Sequence, residues 1–400
     1  MKILYVIPSY EPAWAFGGTV TATSQLCRGL VGREIDVTVY TTDADGKGGY
    51  LDVPLNTPVD LGGVKVWYFH CDFLPKKAFH SKALSKKLEE TIEGFDLIHI
   101  SAVWQWIQVS VSRICRKFAV PYVISPHGSF KTWEWHQNVI KKRPFWHLFG
   151  KRATKKATAI HFTAESEREE SVSNLPLLSK IPSFVAPNGI EIPNKNKCQR
   201  KEGFLNIPSD KFVILFLGRV HRKKGIDFAL KALGSIKNKN YCFLIVGPEE
   251  DKEHCNYLRQ LSRRLGIEKQ IIWYGSIKKD EAQNFYCNSD LMVLTSHSEN
   301  FGMTVVEAMS CGLPVFISKN VSIWREVVAD NAGLAVELNE NAIAKEFKKV
   351  FTNPSLLKEM SKNSAESAKK RYNINKVTSL MARAYEDILT GERSPELKWK

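Results

Sequence analysis

The sequence predicts an α/β protein made of two doubly wound, Rossmann-like domains facing each other across a cleft. Three observations predict it. The chain has 400 residues, more than one hydrophobic core usually organises, so two domains of roughly 150–200 residues are expected. Short continuous apolar runs alternate with helix-like segments, as in parallel sheets covered on both faces. At Lys211 the alternation restarts, with a strand that matches the first in length and apolar character.

Taken in order, KILYVIPS (2–9) is the first strand, followed by a loop holding Gly17 and Gly18. A helix comes next in TVTATSQLCRGLVGR, with Val20, Leu26 and Leu30 at helical spacing, and IDVTVYTT is a second strand. This is a βαβ unit. Further strands are expected at GVKVWYF, FDLIHIS, PYVISPHG, AIHFTA and SFVAPNG. In the second half, KFVILFLGR leads through a glycine-containing loop to the helix GIDFALKALGSIK, and CFLIVGPEE, IIWYG, DLMVLTS and LPVFIS continue the alternation. Between the halves the chain turns polar and rich in Asn, Lys and Pro, as linkers do. The expected boundaries are a first domain over 1–188, a linker over 189–210 and a second domain over 211–372. One or two helices over 373–400 are expected to pack back towards the first domain. In doubly wound sheets ligands bind at the carboxyl ends of the strands, so the cleft is the expected site.

Composition excludes several classes. With 44% hydrophobic and 25% charged residues the chain is neither disordered nor of low complexity. The opening apolar run stops at Pro8, short of a signal peptide's 7–15 residues, and no run approaches the ~20 of a membrane span. A cytoplasmic protein is expected. Eight scattered cysteines, with no CxxC pair, point to reduced, buried thiols rather than disulfides or metal ligands. The net charge of +15 is shared as +8 in residues 1–200 and +7 in the rest. Two basic segments concentrate it: KKAFHSKALSKK (76–87), and KKRPFWHLFGKRATKK (141–156), which has seven Lys/Arg, no acid, and Phe145, Trp146 and Phe149 interleaved. With Trp133 and Trp135 nearby, this reads as a surface for peripheral contact with an anionic membrane, on its inner face. The alternative is a merely solvated basic face. Nucleic acid is suggested only by the isoelectric point and is not expected as a partner.

Two segments carry the chemistry. In LGRVHRKKGID (217–227), Arg219 and Lys224 follow a strand's carboxyl end, where both can reach an anion such as a diphosphate. In SENFGMTVVEAMSCGLPV (298–315), a loop and a helix follow a strand, with Gly302 at the helix N-terminus. The backbone N–H groups of Gly302, Met303 and Thr304 there favour a phosphate. Glu299 lies in the loop and Glu307 in the helix's second turn. Coming from one side of the crevice, they suit two acceptors gripping a polyhydroxyl ligand better than an acid–base pair astride a scissile bond.

Gly17-Gly18, SPHGSF, PNGIEI, LGRVHRKKGID, IVGPEE, YGSI and SHSENFGMTVVEAMSCGLPV, in this order, resemble the family 4 retaining glycosyltransferases of the GT-B fold. The resemblance spans nearly the whole chain and is most specific in the second half. It implies that Arg219 and Lys224 neutralise a donor diphosphate, with the amides around Phe301, Gly302, Met303 and Thr304 completing the cradle. By the same resemblance Glu307 holds the ribose, Glu299 lies near the hydroxyls of the transferred sugar, and His127 stands beside the reaction centre. Gly17 and Gly18 match a loop approaching the donor phosphate and acceptor, and the backbone at Ile277 matches the base-binding position.

The activity implied is retaining, metal-independent transfer of a hexose to a glycan or lipid-linked glycan, as in envelope or exopolysaccharide synthesis. UDP-glucose is the donor that frequency within the family favours, with no cofactor. Asp43-Ala44-Asp45 has the DxD spacing used elsewhere for manganese, but it sits in the first half, away from the diphosphate machinery, and reads as a solvated loop. A sugar-nucleotide epimerase on a similar scaffold is the rival reading. A nicotinamide enzyme is disfavoured because the first βα turn lacks GxGxxG.

Overall fold

The computed structural model describes residues 1–72, 79–101, 103–193, 201–237, 239–394, 397 and 399. The expected linker and the basic segment at 76–87 fall partly outside them. The chain forms two compact units, Met1–Gly189 with Ile374–Lys400, and Ile190–Asn373.

Unit 1 carries strands β1 (Lys2–Val6), β2 (Asp36–Thr42), β3 (Pro58–Asp60), β4 (Lys65–Phe69), β5 (Leu97–Ile100), β6 (Tyr122–Ile124), β7 (Ala159–Phe162) and β8 (Ser183–Val185). They form one sheet in the order β3-β4-β2-β1-β5-β6-β7-β8, parallel except for β3 against β4. Nearly every residue of the central strands is buried, including Ile3, Leu4, Tyr5 and Val6 of β1 and all of β5. Such apolar runs belong to a sheet with helices on both faces. Strand β3 was not anticipated, because three residues opening on a proline give no strand period and suit only an edge.

Unit 2 carries β9 (Phe212–Leu217), β10 (Tyr241–Val246), β11 (Ile271–Gly275), β12 (Leu291–Leu294), β13 (Val315–Ser318) and β14 (Gly333–Val336). All six are parallel, in the order β11-β10-β9-β12-β13-β14. Strand order therefore reverses between β9 and β12 in unit 2, and between β1 and β5 in unit 1. Those reversals leave open crevices at the strands' carboxyl ends.

The tail forms one helix, Ile374–Thr390, which belongs to unit 1. Val377, Met381, Ala384 and Tyr385 are buried in the same core as Ile3, Tyr5, Leu26 and Val37. A chain of polar groups runs beneath it. Tyr5 and Tyr385 share a hydroxyl–hydroxyl bond, the Tyr385 hydroxyl is 2.7 Å from His99 Nδ1, and His99 Nε2 is 2.5 Å from Ser125 Oγ. Ser125 Oγ then lies 2.7 Å from His161 Nδ1, and His161 Nε2 lies 2.8 Å from the Ala186 carbonyl. A carbonyl can only accept, so His161 carries its proton on Nε2 and every other donor follows in turn, Tyr5 donating first. Burial holds both imidazoles well below the usual histidine pKa, His161 at about 4, as the neutral rings in this chain require.

Six cysteines, Cys27, Cys71, Cys115, Cys242, Cys255 and Cys311, are free as expected. Cys287 is disulfide-bonded, which the scattered spacing did not reveal.

Candidate active site

The unit 2 crevice is built from the two loops that leave β9 and β12. Gly225 ends the first in a left-handed conformation, φ 61°, and a Cβ there would stand 2.0 Å from the Thr295 carbonyl oxygen. Only glycine permits this approach. Thr295 Oγ1 donates to the Gly225 carbonyl at 2.7 Å, and the His297 amide donates to the Lys223 carbonyl at 2.8 Å. The loops are thus laced together. The lacing brings the Lys224 ammonium onto the Glu299 carboxylate as an ion pair, with both side chains about one-fifth exposed. The resemblance assigns Lys224 to the diphosphate and Glu299 to the sugar hydroxyls, and their direct pairing is new.

Glu299 is fixed from its backbone: its amide donates to the Asn320 carbonyl at 3.1 Å and its carbonyl accepts from the Ser322 amide at 3.2 Å. Gly302, φ 82°, caps the helix Met303–Ser310, whose first-turn amides have no acceptor within the helix. The side chains of Phe301 and Met303 are buried, Phe301 edge-on to Tyr372, so these two residues can offer a ligand only their backbones. Arg219, half exposed, donates to both Glu250 carboxylate oxygens at 3.0 Å.

Glu307 Oε2 accepts from the Tyr286 hydroxyl at 2.9 Å. Burial pushes its carboxyl above the usual range, against the opposing pull of Tyr286 and Lys279. Tyr286 was not singled out in the sequence, where a lone tyrosine in NFYC carries no signal. Ile277 follows β11 and is half-buried.

The unit 1 crevice holds a cavity of about 250 Å³ lined by Pro8, Ser9, Phe16, Trp104, Gln105 and His127, among others. Gly17 and Gly18 do not line it but stand in the chain between two residues that do, Phe16 and Thr19; Gly17 has φ 78° and ψ −144°, and nothing lies within 4 Å of where its Cβ would be. Gly18 is the first residue of the helix Gly18–Val31. The loop that carries the glycine pair and the turn that carries His127 therefore reach the same cavity, the loop through Phe16 and Thr19. His127 Nε2, Ser9 Oγ and Gln105 Oε1 are buried without a hydrogen-bond partner. Burial, aided by His161, lowers the His127 pKa to about 3, so the ring is neutral. Ser9 and Gln105 went unnoticed because neither sits in a recognisable motif.

Two expectations need correction. Asp43 is not solvated: it is buried and accepts from the Cys71 amide at 2.8 Å and His70 Nδ1 at 2.9 Å. Asp45 Oδ1 accepts from the Lys47 and Gly49 amides at 2.7 and 2.9 Å, a turn-forming role. Among the described residues no group of three His, Cys, Asp or Glu could hold a metal. Nor do Trp135 and Trp146 stand free at the surface, while Trp133 is half-buried. Trp146 is 3% exposed and Trp135 packs against the same core, both within ring contact of Trp104. What the basic helical run 139–155 does expose is Ile140 at 90%, Leu148 at 69% and Phe149 at 37%. Among the described residues no helix is long and apolar enough to cross a membrane.

Two α/β units with open switch points, one of them holding a cation–carboxylate pair beside a helix N-terminus, are of the class that binds anionic ligands at the strands' carboxyl ends. The comparisons agree. Residues 16–192 match the model for Glycosyltransferase Family 4, and residues 199–367 that for Glycosyl transferases group 1. The chain belongs to the family 4 glycosyltransferases and has the GT-B fold. An uncharacterised glycosyltransferase of Methanocaldococcus jannaschii is 26% identical over 333 residues, 80% of each chain. D-inositol 3-phosphate glycosyltransferase of Acidothermus cellulolyticus is 24% identical, covering 94% of this chain and 87% of that protein. Among solved structures, sucrose-phosphate synthase of Thermosynechococcus elongatus superposes with a TM-score of 0.78 at 18% identity, covering 98% of this chain and all of the other. Anabaena HepE in complex with UDP and glucose superposes at 0.75 and 18%, covering 97% and 100%.

Proposed function

We propose that this glycosyltransferase moves a hexose from a nucleoside diphosphate, with UDP-glucose preferred, to a hydroxyl of a glycan or lipid-linked glycan, keeping the anomeric configuration and using no metal. The observation that carries the donor reading is the laced loop pair of unit 2. It gathers Lys224, Glu299 and the first-turn amides of Gly302, Met303 and Thr304 at one switch point. As the glycosidic bond breaks, negative charge grows on the β-phosphate, and Lys224, Arg219 and those amides stabilise it. Lys224 leaves Glu299 for the phosphate as the donor enters, which frees Glu299 to accept from sugar hydroxyls. Arg219 makes the same exchange at Glu250.

Glu307, steadied by Tyr286, accepts from the ribose, and the base rests near Ile277. Two cations and a helix terminus supply the compensating charge that a metal would otherwise bring. With both glutamates engaged as acceptors, the route is front-face, the leaving phosphate helping to deprotonate the acceptor hydroxyl. Unit 1 supplies the acceptor cavity and, through Gly17, Gly18 and the neutral His127, the contacts beside the sugar. HepE's complex with UDP and glucose supports a uridine donor by analogy of fold. A lipid-linked acceptor brings the enzyme to the inner face of an anionic membrane, which the exposed apolar and basic run 139–155 suits.

The test is a thermal-shift panel of sugar nucleotides followed by product analysis. UDP-glucose should raise the melting temperature, and Lys224→Ala should abolish most of that rise and most turnover while the apo protein melts as before. Full activity of Lys224→Ala removes the diphosphate assignment. An epimerised nucleotide formed without acceptor would favour the epimerase instead.

A further inference from the structure

The turn that carries His127 is held in a conformation few side chains adopt unaided. His127 has φ 46° and Gly128 φ 78°. A non-glycine residue stays in that region only where its surroundings over-determine it. Two buried groups outside the substrate-contacting set grip the turn from either side. Upstream, Ser125 is fully buried, with its Oγ 2.5 Å from His99 Nε2 and 2.7 Å from His161 Nδ1. Because the Ala186 carbonyl sets the direction of that chain, the Ser125 hydroxyl accepts from one imidazole and donates to the other, and its rotor is locked.

Downstream, the Glu167 carboxylate is fully buried. It accepts from the Gly128 amide at 2.6 Å and from the Thr163 amide and hydroxyl at 2.7 Å each. One acid thus staples the turn after β6 to the turn after β7. The His127 ring finds no hydrogen-bond partner at Nε2, so that atom adds nothing to its hold and its aim is inherited from the backbone.

We propose that Ser125 and Glu167 are positioning residues for His127: they fix the direction of its imidazole and touch no substrate themselves. The inference rests on the reading of His127 as a group beside the transferred sugar. A bland alternative is that both are ordinary satisfied core polar groups, whose loss would lower stability and nothing else. The two differ in what happens to the imidazole and in whether the effects pass through it.

The test uses the full chain with isotopically labelled histidine, the His127 signal being assigned by its loss in His127→Ala. In Ser125→Ala and Glu167→Gln the His127 ring correlations should move while those of the exposed His136 stay in place. Turnover should fall on the order of ten- to a hundredfold at unchanged donor KM, the scale at which misplaced groups act, and Ser125→Thr, which keeps the hydroxyl, should recover much of it. In a His127→Ala background the same substitutions should cost nothing further, as effects routed through one group do not add. Unmoved His127 correlations in both folded variants, or an equal further loss in the His127→Ala background, would overturn the proposal. If His127→Ala leaves turnover intact while the ring correlations still move in the two variants, the positioning stands and it is the role of His127 in transfer that fails.

Discussion

Glu307 shows how a single residue's chemistry can be read from type and position while its tuning cannot. A glutamate in the second turn of a helix, eight residues after another glutamate, was visible as a hydroxyl grip. That its Oε2 is held by the Tyr286 hydroxyl, and that burial lifts its carboxyl pKa, was not, because the tyrosine is contributed by a different helix with no motif of its own. Tyr286 takes one oxygen and leaves the other for a ligand. Glu307→Gln keeps an acceptor for Tyr286 and removes the charge. The difference between a charged and a neutral hydrogen bond is about 1–2 kcal/mol, so the donor KM should rise roughly tenfold with little change in kcat. Steady-state kinetics checks it, and a large loss of kcat at constant KM would instead make Glu307 part of the chemistry. Lys224 and Glu299 teach the same lesson in reverse. Each was legible alone, but their pairing follows from Gly225 pressed against the Thr295 carbonyl, a contact between residues seventy positions apart.

Among elements, the strands were the most legible, because a sheet covered on both faces writes itself as unbroken apolar runs. The two that escaped are β3, which opens on Pro58 and closes on Asp60, and β14, which opens on Gly333 and holds Ala335, residue types depleted in strands. The helical run 139–155 shows its composition in the sequence but not the direction in which its side chains face. Sequence places Trp146 among lysines, but only the fold reveals that Trp146 and Trp135 pack on Trp104 and Phe130, leaving Ile140 and Leu148 to face outward. Two exposed aliphatic side chains rimmed by Lys141, Arg143, Lys151, Arg152 and Lys155 suit a lipid headgroup layer. Flotation with liposomes containing phosphatidylglycerol should carry the protein upward at low salt. Ile140→Glu with Leu148→Glu should leave most of it at the bottom, and the wild type should be released as salt rises. Equal flotation of the double variant would remove this element from the membrane reading, and transfer to a soluble acceptor should be unaffected by it.

At the scale of the whole molecule, the two-unit division was legible in the restart of the strand pattern. The membership of the tail was less so, since its core partners, Tyr5 and His99 among them, lie hundreds of residues away. Three neutral imidazoles, His99, His127 and His161, are buried in unit 1, and burial depresses all three, His161 to about 4 and His127 to about 3. In the unfolded chain each titrates near 6.5. Below that value the unfolded state binds protons that the folded state refuses, so stability is full above about pH 7 and declines as the pH falls towards 4. For His161 alone this is about 2 kcal/mol by pH 5. Calorimetry from pH 7.5 to 4.5 should show unit 1 losing melting temperature, and a flat profile would contradict the neutral chain. The position of the tail has one more consequence. Because Tyr385 completes the core that Tyr5 begins, synthesis starts unit 1 before unit 2 and completes it after. Until the helix Ile374–Thr390 emerges, the nascent sheet of unit 1 lacks part of its covering, so a premature stop codon after residue 373 would strand the half made earlier rather than the one just made.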